Sequence, residues 1–192
     1  MQIEYEAKFT DINKSDIRRR LKKAGAKLIH PEFIMKRYVW HFPPGHQVKG
    51  AWVRVRQEYG RVTMSVKIVD GRKLKDQREI YITVDDMEKA REILNAIGCI
   101  ERAYQESKRE LWKLGSVEIT IDEWPFLEPF VEIEGKSEIA IKKISRKLGF
   151  NYKKAIFGSV DFQYADRYKI SLKKINQGTP LIKFKMPNPF LK

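Results

Sequence analysis

Five segments of this chain alternate apolar and polar residues with a period of two, and successive side chains of a strand point to opposite faces. In 2–9, Ile3, Tyr5, Ala7 and Phe9 share one face and Glu4, Glu6 and Lys8 the other. In 50–58, Val53 and Val55 oppose Arg54 and Arg56; in 61–69, Val62, Met64, Val66 and Ile68 oppose Thr63, Ser65 and Lys67. In 116–123, Val117, Ile119 and Ile121 oppose Glu118, Thr120 and Asp122; in 129–134, Val131 and Ile133 oppose Glu132 and Glu134. Segments 33–42, 77–84 and 103–113 complete a set of eight strands, and Tyr59-Gly60 and Leu114-Gly115 read as hairpin turns.

Three helices interrupt them. One starts near Asn13 or Ser15, carries Ile17, Leu21 and Ala24, and stops at Gly25. A second follows Asp85-Asp86, carries Ala90, Leu94 and Ile97, and stops at Gly98. A third starts at Ser137, carries Ile141, Ile144 and Leu148, and stops at Gly149. Each has a capping side chain, an apolar stripe and a terminal glycine. One or two shorter helices are expected between Tyr152 and Tyr168. Strand, capped helix and then further strands occur in both 2–69 and 77–123, a loose internal duplication.

An alternating strand usually sets its apolar face on a core and its charged face in water. Here three amphipathic helices also need apolar surface to cover. Helices packed outside a closed barrel would cover its apolar face and leave the charged face lining the lumen. The fold expected is therefore α+β: an eight-stranded antiparallel β-barrel, a tunnel with a charged lumen, and helices packed outside.

The lumenal charges are sorted. Strands 2–9, 116–123 and 129–134 contribute acids; 50–58 and 61–69 contribute bases. Glu4, Glu6, Glu118, Asp122, Glu132 and Glu134 would crowd together, raising their pKa values unless something neutralises them. Clustered carboxylate oxygens suit Mg²⁺, Mn²⁺ or Ca²⁺ rather than zinc. Arg54, Arg56, Lys67, Lys8 and one of Lys108 or Arg109 offer the donors that polyphosphate oxygens require. Acids for metals beside bases for phosphates is the layout of a metal–triphosphate site.

Net charge points the same way. Lys and Arg number 39 against 25 Asp and Glu, a balance of +14, which favours an anionic partner, whether phosphorylated ligand or nucleic acid. From Arg167 to Lys192 there are seven basic residues, no acid and three prolines. We divide the chain into a tunnel domain, 1–168, and a basic C-terminal extension, 169–192. Because Leu181-Ile182-Lys183-Phe184-Lys185-Met186 alternates weakly, the extension is expected to pack on the body or on a second copy in a homodimer, and to contribute no catalytic group. Cys99 is the single cysteine, which excludes an intrachain disulfide and a Cys-based zinc site. No apolar run approaches the ~18 residues of a membrane span, and the first residues lack a signal-peptide layout; a cytoplasmic location without a membrane partner is expected. His30, His41 and His46 lack ligand spacing, and the four tryptophans read first as packing residues.

Glu4-Tyr5-Glu6-Ala7-Lys8 is an ExExK pattern on a first strand. Val53-Arg54-Val55-Arg56, Ser65-Val66-Lys67, Arg78-Glu79, Lys108-Arg109-Glu110, Ile119-Thr120-Ile121-Asp122 and Phe130-Val131-Glu132-Ile133-Glu134-Gly135 follow in order. Over about residues 2–168 this series resembles the CYTH superfamily, the triphosphate tunnel metalloenzymes. The resemblance implies Glu4, Glu6, Asp122, Glu132 and Glu134 as ligands for Mg²⁺ or Mn²⁺, and Lys8, Arg54, Arg56, Lys67 and Arg109 as phosphate binders. Glu4, Glu6 and Lys8 then stand at the reacting centre, with Glu79 and Glu118 as supporting or base candidates. Many relatives carry a basic residue two places before the arginine of the sixth strand; here that place is Ser107. The activity implied is hydrolysis of the terminal phosphate of a nucleoside, thiamine or inorganic triphosphate. One alternative is a class IV adenylyl cyclase making cyclic AMP and pyrophosphate from ATP. The other is a polyphosphate- or nucleic-acid-binding module without catalysis, against which six acids on the ligand side argue.

Overall fold

The computed structural model describes residues 1–191. One sheet curls into a nearly closed, almost wholly antiparallel barrel. Its strands are β1 (Gln2–Ile3), β2 (Tyr5–Phe9), β3 (Lys27–His41), β4 (Ala51–Glu58), β5 (Arg61–Val69), β6 (Gln77–Val84), β7 (Ile100–Leu114), β8 (Val117–Glu123), β9 (Phe130–Gly135) and β10 (Leu181–Ile182). The order is β1-β6-β5-β4-β3-β7-β8-β9-β2, with β10 added parallel to β7.

Ten segments stand where eight strands were expected, for two reasons. The first strand breaks at Glu4, whose N–H donates to the Gln77 carbonyl at 3.0 Å. The piece before the break pairs with β6 and the piece after it with β9, so one N-terminal run closes both edges of the sheet. The second reason is β10, which belongs to the C-terminal segment. β3 also begins earlier than the expected residue 33. Pro31, which lacks a ladder donor, lies where the β3–β7 register shifts between His30 and Phe33, and the pairing resumes on both sides.

The internal duplication has a spatial counterpart. Read outward from the long β3–β7 pair, β4, β5 and β6 on one side answer β8, β9 and β2 on the other.

Helices α1 (Lys14–Ala24), α2 (Met87–Ala96) and α3 (Glu138–Lys147) form where capping and periodicity place them. Asn13, Asp86 and Ser137 accept hydrogen bonds from first-turn N–H groups, satisfying donors that a helix start leaves free. Gly25 ends α1 in the left-handed region, at φ 80°. Ile17 and Leu21 of α1, with Ile141, Ile144 and Leu148 of α3, bury the outward faces of β2, β7, β8 and β9, including Ala7, Phe9, Ile119, Ile121, Val131 and Ile133. On the opposite half, α2 contributes Ala90 and Leu94, which with Cys99 pack on Trp40, Val53 and Val55. Outward residues of β6 and β1 there stay open: Ile3, Ile80 and Ile82 are exposed.

The C-terminal segment continues through α4 (Val160–Tyr168), α5 (Leu172–Asn176) and β10. Tyr164, Ile175, Ile182 and Phe190 are buried in one cluster with Trp124 and Phe130 of the barrel. The segment therefore packs on the body of its own chain, and the division at 168/169 falls between two helices that share this cluster. No helix of the described residues is long and apolar enough to cross a membrane.

Candidate active site

The inward faces of the strands enclose a cavity of about 440 Å³ whose lining includes Glu4, Glu6, Lys8, Arg54, Arg56, Lys67, Arg109, Glu132 and Glu134. Nine of the ten residues expected to form a site thus share one lumen. The tenth, Asp122, is fully buried behind Arg109.

The five carboxylates expected to bind metal fall into two groups. Glu6 and Glu134 are direct neighbours in the β2–β9 ladder, and one carboxylate oxygen from each of Glu4, Glu6 and Glu134 lies within 4.8 Å of the others. Lumenal water reaches Glu134, yet enclosure by the walls and then the Glu4 charge push its carboxyl up to about 7. Burial likewise raises Glu4, against the pull of Lys67.

Asp122 and Glu132 instead converge on one guanidinium. Arg109 donates from Nε to Asp122 Oδ1 at 2.7 Å, and from Nη2 to Asp122 Oδ2 at 2.6 Å and to Glu132 Oε2 at 2.5 Å. The Thr120 hydroxyl donates to Asp122 at 2.9 Å. Burial tends to raise Glu132, but the charges of Lys8 and Arg109 outweigh it and hold the carboxyl well below its ordinary range. Lys8 sits between the two groups, paired with Glu6 and 3.2 Å from Glu132.

Across the lumen stands the basic wall. Arg54 donates to Glu79 at 2.9 Å, while its buried Nε has no hydrogen-bond partner. Lys67 lies 2.8 Å from Glu4 and 3.6 Å from Glu79. Arg56 donates from Nε to Glu58 at 2.8 Å. Burial and the neighbouring Arg54 charge lower the Arg56 pKa to about 10. Glu58 goes the other way: burial would raise it, but Arg56 and Arg61 hold its carboxyl at about 2. Glu79 is thus part of the basic wall. Glu118 lies at one mouth, half-exposed, 3.9 Å from Lys113.

Strand β7 settles which of its two adjacent cations turns inward. Arg109 faces the lumen; Lys108 faces out, 3.1 Å from Glu123 and over the Phe184 ring. The sequence pattern was blurred because both faces of β7 are mixed. Leu111 turns inward, while Glu110 is buried on the outer face by Arg18 of α1 and the Trp112 N–H.

Sequence reasoning passed over Arg37 and Glu58. Arg37 projects from β3 into the lumen, donates to Gln105 at 2.7 Å and lies 4.2 Å from the Trp124 ring. It makes no carboxylate contact among the described residues' ion pairs, and burial with the Arg54 and Arg56 charges depresses its pKa. Its place on the face of Phe33, Met35 and Val39 was the available signal, hidden by the apolar company it keeps.

A buried arginine without a carboxylate and an orphaned guanidinium N–H are groups prepared for an anion. Three neighbouring carboxylates, two of them already pushed up, form an all-oxygen donor set that a hard divalent cation fits.

Known proteins resemble this chain in sequence and in fold. A Methanocaldococcus jannaschii protein, provisionally named an adenylate cyclase, is 29% identical over 135 residues, covering 70% of this chain and 76% of the relative. The structure of PH1012 from Pyrococcus horikoshii superposes with a TM-score of 0.66 at 22% identity, covering 79% of this chain and 93% of that one. A Vibrio parahaemolyticus structure, also provisionally described as an adenylate cyclase, reaches 0.71 at 15% identity, covering 82% and 95%. These two likenesses concern the fold. The CYTH domain model itself matches residues 2–160, a span that holds every lumenal acid and base described above, and the chain belongs to the CYTH domain family.

Proposed function

We propose that the tunnel turns over a triphosphate with the help of a divalent cation, by hydrolysis of the terminal phosphoanhydride. The observation that carries this reading is the meeting of two sets in one lumen: Glu4, Glu6 and Glu134 gathered within 4.8 Å, together with the guanidiniums of Arg54 and Arg56 and the ammonium of Lys67, which lies 2.8 Å from Glu4. A binder of polyanions has no use for the first set.

In this reading Arg37, Arg54, Arg56, Lys67 and Arg109 grip the phosphate chain, and the Arg54 Nε finds in it the acceptor it lacks. Glu4, Glu6 and Glu134 hold Mg²⁺ or Mn²⁺, which supplies Lewis-acid polarisation of phosphate oxygens. Asp122 and Glu132 position Arg109, and Glu132 extends toward the cation site past Lys8. Water attacks the terminal phosphorus in line. The bond from that phosphorus to its bridging oxygen breaks, the electron pair leaves with the diphosphate, and the water's proton passes to a lumenal carboxylate. Lys8, beside Glu6, offsets charge on the transferring group.

A second reading, cyclisation of ATP with release of pyrophosphate, is favoured by the name of the archaeal relative. It uses the same walls and differs in which phosphorus meets the nucleophile. One experiment separates them. The purified chain is incubated with ATP, thiamine triphosphate and inorganic tripolyphosphate, with Mg²⁺, Mn²⁺ or EDTA. Hydrolysis predicts orthophosphate and a diphosphate compound only when the cation is present. Cyclic AMP with pyrophosphate would replace the first reading by the second, and no turnover of any of the three would remove both.

A further inference from the structure

A second cavity, of about 350 Å³, adjoins the charged lumen. Arg37, Trp52, Val69, Ser159 and Val160 line both, so the two spaces meet at these residues. The volume lies within the range in which proteins enclose small molecules. Its far wall is built by the C-terminal segment, from Asp161 through Tyr164, Leu172, Ile175 and Gln177 to Ile182. The family match ends at residue 160, so this wall lies beyond the matched span.

The chamber differs in chemistry from the lumen beside it. The lumen is lined by carboxylates, guanidiniums and ammoniums; the chamber is mostly aliphatic and aromatic, with the amides of Gln47, Gln105, Asn176 and Gln177 among its polar groups. Its one carboxylate, Asp161, already accepts from Asn176 Nδ2 at 2.7 Å, from the Phe162 N–H at 3.0 Å and from the Ser159 hydroxyl. The other charged groups are Arg37 and Arg102. The latter donates to His41 Nδ1 at 3.2 Å, and burial with that guanidinium lowers the His41 pKa, leaving a neutral ring. A cationic guest would meet two guanidiniums and no free carboxylate. A flat neutral guest would meet apolar walls, the Trp52 indole at the junction, and amides that both donate and accept.

We propose that this chamber receives the organic group at the end of the triphosphate chain, and that residues 161–182 make it selective for an uncharged heteroaromatic group such as a nucleobase over a cationic one. The inference rests on the tunnel's binding a triphosphate, as proposed above. It assigns the C-terminal segment a part in substrate choice without a part in bond breaking.

The test is isothermal titration of the full chain in EDTA, so that no turnover intervenes, with ATP, thiamine triphosphate and inorganic tripolyphosphate. ATP should bind at least tenfold more tightly than either of the others. Leu172→Asp, at a position 36% exposed, should weaken ATP about tenfold and leave tripolyphosphate within twofold. If circular dichroism shows that variant unfolded, Leu172→Ala and Gln177→Ala decide, each with a smaller loss confined to ATP. Equal affinity for ATP and tripolyphosphate, tightest binding of thiamine triphosphate, or an ATP preference untouched by the folded variants would each overturn the proposal while leaving the triphosphate tunnel intact. Failure of all three compounds to bind in EDTA would overturn this proposal, while the turnover assay with Mg²⁺ or Mn²⁺ decides the tunnel reading separately.

Discussion

The two halves of the barrel share a strand plan and differ in sign. β4, β5 and β6 put Arg54, Arg56 and Lys67 into the lumen, with Glu58 and Glu79 as their counter-ions. The corresponding β8, β9 and the run ending in β2 put Glu132, Glu134, Glu4 and Glu6 there, with Asp122 buried behind Arg109. The outer coverage differs in step. Two helices bury the acid half, where Ala7, Ile119 and Ile133 have no exposed surface. One helix covers part of the basic half and leaves Ile80 and Ile82 at 54% exposure. A physical reason connects these. Short carboxylate side chains must be held close together against their repulsion, so the backbone carrying them has to be stiff and well backed. Arginine and lysine reach on long stems, each beside a carboxylate, and tolerate a thinner wall.

If the acid half is the chemical half, Glu4→Gln and Glu6→Gln should each cost at least about a thousandfold in turnover, roughly 4 kcal/mol, with the fold intact by circular dichroism. Full activity at limiting Mg²⁺ in either variant would return the acids to a structural role. Coverage is tested next. Ile133→Ala opens a cavity in the doubly covered half and should cost about 2–5 kcal/mol in urea unfolding. A loss below about 1 kcal/mol would show that the backing does not hold the acid wall. In the basic half, Arg54→Ala and Arg56→Ala should each lose about 2–4 kcal/mol of transition-state stabilisation, read from kcat/KM. Arg→Lys should rescue only in part, because a point charge does not replace a planar fork. Near-wild-type kinetics in both Ala variants would remove the grip from this wall.

The halves should also answer pH in opposite directions. Glu134, raised to about 7 in the folded chain, binds more protons there than when unfolded, so its contribution is full below about 4.5 and is lost as pH rises through 7. Glu58, held at about 2, contributes above about 4.5 and loses that contribution as pH falls toward 2. In metal-free protein Glu134→Gln should therefore raise the melting temperature at pH 8 and change little at pH 4.5, whereas Glu58→Gln should lower it by a few degrees at pH 7. Parallel responses of the two variants would contradict the assigned environments. The smallest effect belongs to the thin wall: Ile80→Thr should stay within about 0.5 kcal/mol of the parent in the same unfolding experiment.

The barrel was legible because period-two alternation and three capped helices leave the apolar surfaces one arrangement in which most are covered, Ile3, Ile80 and Ile82 staying open. The acid and base sets could be read off the same strands, since Glu4, Glu6, Arg54 and Lys67 each sit between apolar neighbours and Arg56 follows Val55 on the face of Arg54. Pairing inside the lumen was not legible. That Arg109 holds both Asp122 and Glu132, leaving Glu4, Glu6 and Glu134 to face one another, follows from cross-strand register, which alternation alone does not fix. Arg37 hid among apolar residues of β3, and the chamber behind it is walled by α4, α5 and β10, whose place depends on contacts such as Tyr164 with Pro125 and Phe190.

The run from Gln2 to Phe9 belongs to both edges of the sheet: its first residues pair with β6 and its last with β9. One of its partners, β9, lies more than a hundred positions downstream in the chain. The seam can be sewn only after nearly the whole barrel exists, and contacts of such long separation form slowly. Glu4 and Glu6 ride on that seam. A nascent or partly unfolded chain therefore carries half of an acid cluster, unable to gather a divalent ion around three carboxylates. On the proposed reading, the cation site is completed by the same event that closes the barrel, and a chain that opens again at this seam loses it.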